Sequence, residues 1–114
     1  MAPEPLKIET AAGTKPETVV VRLSGALTIS TLPALQQTLR PITAALTVLD
    51  LAGVPYMDSA GLGAVLNFYV ASNKAGRKMA VAAVTQRVGA LIELTKVNTV
   101  LKVFPTVEAA EQGM

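Results

Sequence analysis

Short apolar runs along the chain predict β-strands, because strands buried on both faces read as nearly continuous stretches of Val, Leu and Ile. Such runs occupy residues 18–25, 46–54, 78–84 and 100–105. A shorter run at 6–10 precedes a turn that Gly13 and Pro16 mark. Because that turn is short, we expect the first strand to pair antiparallel with the second.

Between these runs, apolar residues recur at helical spacing. The clearest stripe follows the run at 46–54 and consists of Leu62, Val65, Leu66, Tyr69 and Val70. Its helix is predicted to cover residues 59–75 and to end near Gly76, a residue type that favours helix C-termini. Further helices are predicted at 31–40, 85–95 and 107–112. Thr31 and Thr106 are suited to cap the N-termini of two of them.

From residue 18 onward the elements alternate as β α β α β α β α, which predicts an α/β domain with right-handed crossovers. A length of 114 residues fits one domain. We therefore predict a single domain over 1–114 with its core at 18–107. Its sheet should have four or five strands, with about four helices packed on it.

Composition excludes several classes of protein. Hydrophobic residues make up 51% of the chain and charged residues 16%, which indicates a folded domain and suggests that a partner covers some of its surface. With no Cys and no His, the chain lacks disulfides, a thiolate nucleophile, the usual zinc ligands and the usual general base. We therefore expect no enzyme activity, no metal and no cofactor.

Charge and hydropathy argue against a nucleic-acid or membrane partner. The net charge is +2, and Lys74, Arg77 and Lys78 fall where a helix is predicted to end, a place where cations interact favourably with the helix dipole. The apolar runs are shorter than the roughly 18 residues of a membrane span. The start of the chain, "MAPEPLKIET", has no apolar segment typical of a signal peptide. We expect a cytoplasmic protein.

The segment "YMDSAGLGAVLNFYV" (56–70) contains the candidate site. Asp58 and Ser59 fall at the N-terminus of the predicted helix and beyond the carboxyl end of a strand, where sites of α/β proteins gather. Both are good N-cap residues, so capping alone explains one of them. Capping does not explain Gly61 and Gly63, each of which costs about 1 kcal/mol relative to alanine inside a helix.

Small residues at this helix start leave the backbone of the first turn accessible. We interpret Ala60, Gly61 and Gly63 as positions that a partner surface or an anion approaches closely. A large side chain at Gly61 is then expected to block the partner and to leave the fold intact.

Two catalytic interpretations of this segment fail. It is no phosphate-binding loop, because no Lys follows it to reach a phosphate. It is no serine hydrolase, because the chain has no His to activate Ser59. A regulated serine fits better, since a phosphate on Ser59 would change any partner docked over the glycines.

Three segments carry a resemblance to a known family: "VVVRLSGALTISTLPALQQTL", "LTVLDLAGVPYMDSAGLGAVL" and "AGRKMAVAAVTQRVGALIELTKVNTVLKVFPTVEAA". The chain resembles the STAS domain, and specifically the small anti-sigma factor antagonists of bacteria, from Val19 to Val107. The piece "MDSAGLG" is the most specific part of the match. The resemblance implies a mixed sheet with helices and a monomer.

The resemblance also implies a switch. In the family, the Ser that follows Asp in this motif, here Ser59, is phosphorylated by a partner that is both a serine kinase and an anti-sigma factor. The unphosphorylated protein sequesters this partner, which releases a sigma factor to activate transcription. Phosphorylation ends the binding, and a serine phosphatase restores it.

Two positions depart from the family pattern. Members often have acidic residues after the second strand, where this chain reads "GALT" and Thr28 replaces the usual Asp. Ala60 stands where a second Ser or Thr is common, so Ser59 is the only hydroxyl in "MDSAGLG". Partner binding is predicted at Asp58, Ser59, Ala60, Gly61, Gly63 and Thr28.

Two other functions remain open from the sequence. The chain could be the STAS subunit of a lipid-type ABC transporter, or a scaffold in a sensory assembly. Retention of "DS" before "AGLG" favours the switch, whereas the missing acidic residue at Thr28 weakens it.

Overall fold

The computed structural model describes residues 5–114, and its elements follow the predicted order. Its strands are β1 (Lys7–Ala12), β2 (Thr18–Ser24), β3 (Leu46–Gly53), β4 (Lys78–Ala82) and β5 (Val103–Phe104). Its helices are α1 (Leu32–Leu39), α2 (Ser59–Lys74), α3 (Gln86–Thr95) and α4 (Val107–Gly113). Residues 1–4, the start of the segment for which the sequence predicts no signal peptide, lie outside the described residues.

The five strands form one mixed sheet in the order β1-β2-β3-β4-β5. β1 pairs antiparallel with β2, as the short turn between them predicts, and the other neighbours pair in parallel. Each parallel pair is joined by a connection that contains a helix. Strands β3 and β4 lie in the interior of the sheet, and because helices cover both of its faces, their sequences are nearly continuous apolar runs. The predicted α/β class and mixed sheet with packed helices are confirmed.

Helices cover both faces of the sheet. On one face, Leu49 of β3 belongs to a large apolar cluster that includes Leu35 of α1, Val65 of α2 and residues of α3. On the other face, Val48 of β3 lies in a smaller cluster with Ala110 of α4. β3 is therefore buried on both faces, and its carboxyl end leads directly to the start of α2.

The last strand is shorter than its apolar run predicts. Val97–Thr99 form a 3-10 turn, and only Val103–Phe104 pair with β4. Leu101 is buried, so its apolar character reflects packing of the connection rather than a strand. Val70 also departs from the prediction, because it is 46% exposed and lies outside the buried stripe of α2.

A buried carboxylate fixes α4 to the turn between β1 and β2. Glu111 is 3% exposed, and its carboxylate accepts hydrogen bonds from Thr14 N (2.8 Å), Thr14 Oγ1 (3.0 Å) and Lys15 N (3.2 Å). Lys15 Nζ donates to the Glu111 carbonyl oxygen at 2.8 Å. Burial of an ionised carboxylate is costly unless hydrogen bonds replace water, and these donors replace it.

The same contacts set the pKa of Glu111. Burial by itself raises this pKa, but the hydrogen bonds from Lys15 and Thr14, together with the Lys15 ammonium, outweigh it and hold the pKa below its ordinary value of 4.5. Because the folded-state pKa is depressed, the carboxylate stabilises the fold above the unfolded-state pKa. That stabilisation is lost as the pH falls through the folded-state pKa.

Glu111→Gln should lower the free energy of unfolding at neutral pH by about 1–3 kcal/mol, because a neutral amide accepts weaker hydrogen bonds and faces the Thr14 and Lys15 donors with its own NH₂. Urea unfolding at a series of pH values measures the difference between the two proteins. The difference should shrink as the pH falls through the depressed pKa of Glu111. Glu108→Gln, an exposed change on the same helix, should have a smaller effect. A difference that is independent of pH would contradict this role of the charge.

Candidate functional site

The loop after β2 is hydrogen-bonded to the segment that enters α2. Leu27 forms an isolated parallel bridge with Met57. Leu27 N donates to the Tyr56 carbonyl oxygen at 3.0 Å, and Asp58 N donates to the Leu27 carbonyl oxygen at 3.2 Å. We call this contact between residues 25–31 and 56–61 the junction. It places the loop that contains Thr28 beside the start of α2.

Asp58 is the N-cap of α2 and also holds the loop. Its Oδ1 accepts a hydrogen bond from Gly61 N at 2.8 Å, which satisfies one of the free donors of the first helical turn. Its Oδ2 accepts a hydrogen bond from Ile29 N at 3.2 Å. Both carboxylate oxygens are thus engaged by backbone donors, one on each side of the junction.

Ser59 is the first residue of α2, and its side chain is exposed. Within the described residues, its hydroxyl has no hydrogen-bond partner from the protein, since the adjacent Asp58 supplies the helix cap. The predicted position of Ser59, exposed at the helix N-terminus, is confirmed. A hydroxyl in this place is open to chemistry on its oxygen at the positive end of the helix dipole.

The two glycines of α2 have different surroundings. Gly61 is buried, and a Cβ at this position would overlap the Leu27 carbonyl oxygen. The expectation that Gly61→Arg leaves the fold intact is therefore wrong, because the helix approaches the loop backbone too closely for any side chain. A Cβ at Gly63 would meet no atom within 4 Å, so this glycine faces open space.

Thr28 and Thr31 shape the loop side of the junction. Thr28 N donates to Thr31 Oγ1 at 3.0 Å, and Thr31 Oγ1 donates to the Ala26 carbonyl oxygen at 2.9 Å. Thr31 precedes α1 but makes no side-chain cap to it, since its hydroxyl serves the loop instead. Thr28 and Ala60 are both half-buried. The structure thus brings the predicted positions together around Asp58, and their part in partner binding stays a prediction.

Sequence reasoning missed two residues of this junction, Ile29 and Tyr56, and one residue of α3 that contacts it, Arg87. Ile29, whose backbone N–H is bonded to Asp58, has a side chain that is 71% exposed. Tyr56 is 41% exposed, and the Arg87 guanidinium lies 5.1 Å from its ring centroid. For Ile29, the available signal was an apolar residue among the polar residues Thr28, Ser30 and Thr31. The Tyr56–Arg87 contact has no signal in the sequence, because 31 positions separate the two residues.

The shape around Ser59 does not resemble a small-molecule site. One cavity of about 400 Å³ lies between α1 and α2, and another of about 210 Å³ lies near Arg77 and Lys102. Neither is lined by Asp58 or Ser59. Within residues 5–114, no group of three or more acidic side chains is placed to hold a metal ion. The helices of this part of the chain are also too short or too polar to cross a membrane.

Comparison with known proteins agrees with this architecture. A sequence profile of the STAS domain matches residues 9–110. An anti-sigma-B factor antagonist of Staphylococcus aureus (strain NCTC 8325 / PS 47) is 32% identical over 101 residues, which cover 86% of this chain and 92% of that protein. A crystal structure of an anti-sigma factor antagonist from Mycobacterium paratuberculosis is 25% identical and matches with a TM-score of 0.82, over 94% of this chain and 93% of that one.

The fold also occurs outside this class. A sulfate transporter family protein from Wolinella succinogenes, 19% identical, matches with a TM-score of 0.75 over 84% of this chain and 83% of that one. The chain belongs to the STAS domain family. Within that family its place is among the anti-sigma factor antagonists, as the resemblance of "MDSAGLG" predicts.

Alanine at the two glycines of α2 should have opposite effects on stability. Gly61→Ala should lower the free energy of unfolding by about 1–3 kcal/mol, since its methyl group overlaps the Leu27 carbonyl. Gly63→Ala should raise it by up to about 1 kcal/mol, because alanine favours the helix and meets no atom. Urea denaturation of the two variants checks this pair directly, and effects of the same sign would contradict the packing of Gly61 on Leu27.

Proposed function

We propose that this chain is an anti-sigma factor antagonist whose binding is controlled by phosphorylation of Ser59. One observation carries the proposal: Ser59 is exposed at the first position of α2, while the neighbouring Asp58 already caps the helix. A kinase can therefore reach the hydroxyl without unfolding the helix or breaking a hydrogen bond of Ser59. The identity to relatives named anti-sigma-B factor antagonists supports the same function.

The proposed partner is an anti-sigma factor that is also a serine kinase. The unphosphorylated chain sequesters it and so releases a sigma factor, and a serine phosphatase acts on the phosphorylated form. We further propose that residues 1–114 act as one monomeric domain in the cytoplasm, without direct contact to nucleic acid. The chain acts by binding rather than by catalysis in this scheme.

Electrostatics explain why a phosphate on Ser59 would weaken binding. Phosphorylation adds about 1.5 to 2 negative charges at neutral pH, directly beside the carboxylate of Asp58. The docked partner removes water from this surface, which penalises the added charge. The helix dipole offsets only about 0.3–1 kcal/mol at an exposed site. A net penalty of about 1.4 kcal/mol already weakens binding tenfold.

The transporter alternative has no comparable support. The similarity to the sulfate transporter family protein, at 19% identity, concerns the fold alone. A subunit that serves only as a structural partner would need no accessible serine at the start of α2. The junction favours the switch for this reason.

Ser59→Ala should bind the anti-sigma factor kinase as tightly as the unphosphorylated parent protein and resist phosphorylation, because it removes the acceptor oxygen and leaves the Asp58 cap in place. Ser59→Asp should bind more weakly, though less so than the phosphoprotein, since it adds one charge. Incubation with the cognate anti-sigma factor kinase and ATP, followed by mass spectrometry, locates the phosphate.

Calorimetry then compares the affinities of the two forms. We expect the phosphoprotein to bind at least about tenfold more weakly. Ser30→Ala, a change at a nearby exposed serine, is the matched control and should still be phosphorylated. Phosphate found only at another residue, or equal affinity of both forms, would remove Ser59 as the switch.

A bulky residue at Gly63 should separate binding from folding. Gly63→Arg places a long side chain on the open face of the first turns of α2, where the partner is proposed to dock. We expect a nearly unchanged melting temperature and a large loss of affinity for the kinase. Asn73→Arg, at an exposed position near the other end of α2, serves as the control and should bind normally. Equal affinities of both variants would place the partner elsewhere.

A further inference from the structure

The exposed apolar side chains of this protein are unevenly distributed. Among the described residues, the large exposed apolar side chains are Ile29, Tyr56, Val70, Leu94 and Val100. Single exposed apolar residues are ordinary on protein surfaces. Two of these five, Ile29 and Tyr56, nevertheless belong to the junction. Each lies within three positions of Asp58 or is bonded to it through its backbone.

The backbone of both residues is fixed by the junction. Ile29 N donates to Asp58 Oδ2, and the Tyr56 carbonyl oxygen accepts from Leu27 N. Ile29 therefore presents its side chain to solvent from a held position, at 71% exposure. Because its backbone is already ordered, little further backbone entropy is lost when a partner covers this side chain.

Arg87 supplies a positive charge on the same surface. Its guanidinium lies 5.1 Å from the Tyr56 ring centroid, in a cation–π contact that restricts the long side chain. The salt bridge found within the described residues joins Arg22 to Asp50, on β2 and β3, and Arg87 contributes to none there. The carboxylate of Asp58 is occupied by Gly61 N and Ile29 N. Arg87 therefore forms no ion pair within the described residues.

We propose that Ile29, Tyr56 and Arg87 form the docking patch for the anti-sigma factor kinase, which presents an apolar pocket to Ile29 and a carboxylate to Arg87. The inference rests on the proposed function and names the chemistry of its partner. Tyr and Arg are the residue types enriched at interface hot spots, and an ordered guanidinium suits a bidentate carboxylate. Charge complementarity selects the acidic group, because the exposed Arg87 forms no ion pair within the described residues, whereas both carboxylate oxygens of the nearby Asp58 already accept backbone hydrogen bonds.

The patch lies next to the start of α2, which contains the serine that the kinase is proposed to modify. Tyr56 stands three positions before Ser59, and Ile29 is bonded to the residue that precedes Ser59. A phosphate on Ser59 would therefore bring negative charge to a surface that must meet a carboxylate of the partner. Like charges would then face each other across the interface, which weakens docking without any change in the fold.

The test measures the affinity of four variants for the purified anti-sigma factor kinase from the same genome. Ile29→Ala and Arg87→Gln change the patch. Leu94→Ala, an exposed apolar side chain near the end of α3, and Arg40→Gln, a cation at the end of α1, are the matched controls. Circular dichroism melting of each variant shows that it folds, as expected for exposed substitutions.

We expect Ile29→Ala and Arg87→Gln each to weaken binding roughly tenfold, and the controls to remain within about twofold of the parent protein. The affinity of the parent protein should fall with added salt, and Arg87→Gln should flatten this dependence. Patch variants that bind like the parent protein, or controls that lose as much, would overturn the proposal. If the parent protein itself does not bind the kinase, the proposed function fails first.

Discussion

The close approach of α2 to the loop after β2 is the constraint on which the site depends. The Leu27 carbonyl oxygen accepts a hydrogen bond from Asp58 N. The same oxygen lies so close to Gly61 that a Cβ at this position would overlap it. The helix can therefore start at Ser59 only if position 61 is glycine and position 58 can cap. Asp58 satisfies the second condition and uses its other oxygen to hold Ile29. The exposed surface is a consequence of this packing.

Much of the fold follows from local pattern. The runs at 46–54 and 78–84 predict interior parallel strands because both faces of β3 and β4 are covered, and the helical spacing from Leu62 marks α2. The exposure of Ser59 agrees with the prediction, which rests on a polar residue at a helix N-terminus beyond the carboxyl end of a strand. The resemblance to the family depends most on "MDSAGLG". This segment contains the Asp that caps α2 and the Gly that packs on Leu27.

The remainder depends on contacts between residues far apart in the chain. Gly61 was predicted to be accessible to a partner, but it is buried against the backbone of Leu27, 34 positions earlier. Thr31 reads as a helix cap, yet its hydroxyl bonds within the loop to Ala26. Glu111 lies on the predicted terminal helix and is buried against the turn at Thr14, 97 positions away, a contact that no pattern in the sequence indicates. Periodicity carries no information on such partners.

The rigidity of the junction limits how a phosphate on Ser59 can act. The nearby backbone donors, Gly61 N and Ile29 N, already donate hydrogen bonds to Asp58. A phosphate could bind them only by displacing the Asp58 carboxylate, so the exchange would add little binding energy. The first turn also cannot shift toward the loop, because Gly61 is in contact with Leu27. A new charge at this place therefore changes the potential of the surface rather than its shape. A partner that binds this surface through an apolar contact and one charged group would be sensitive to that change. A small domain without catalytic groups could act as a switch in this way.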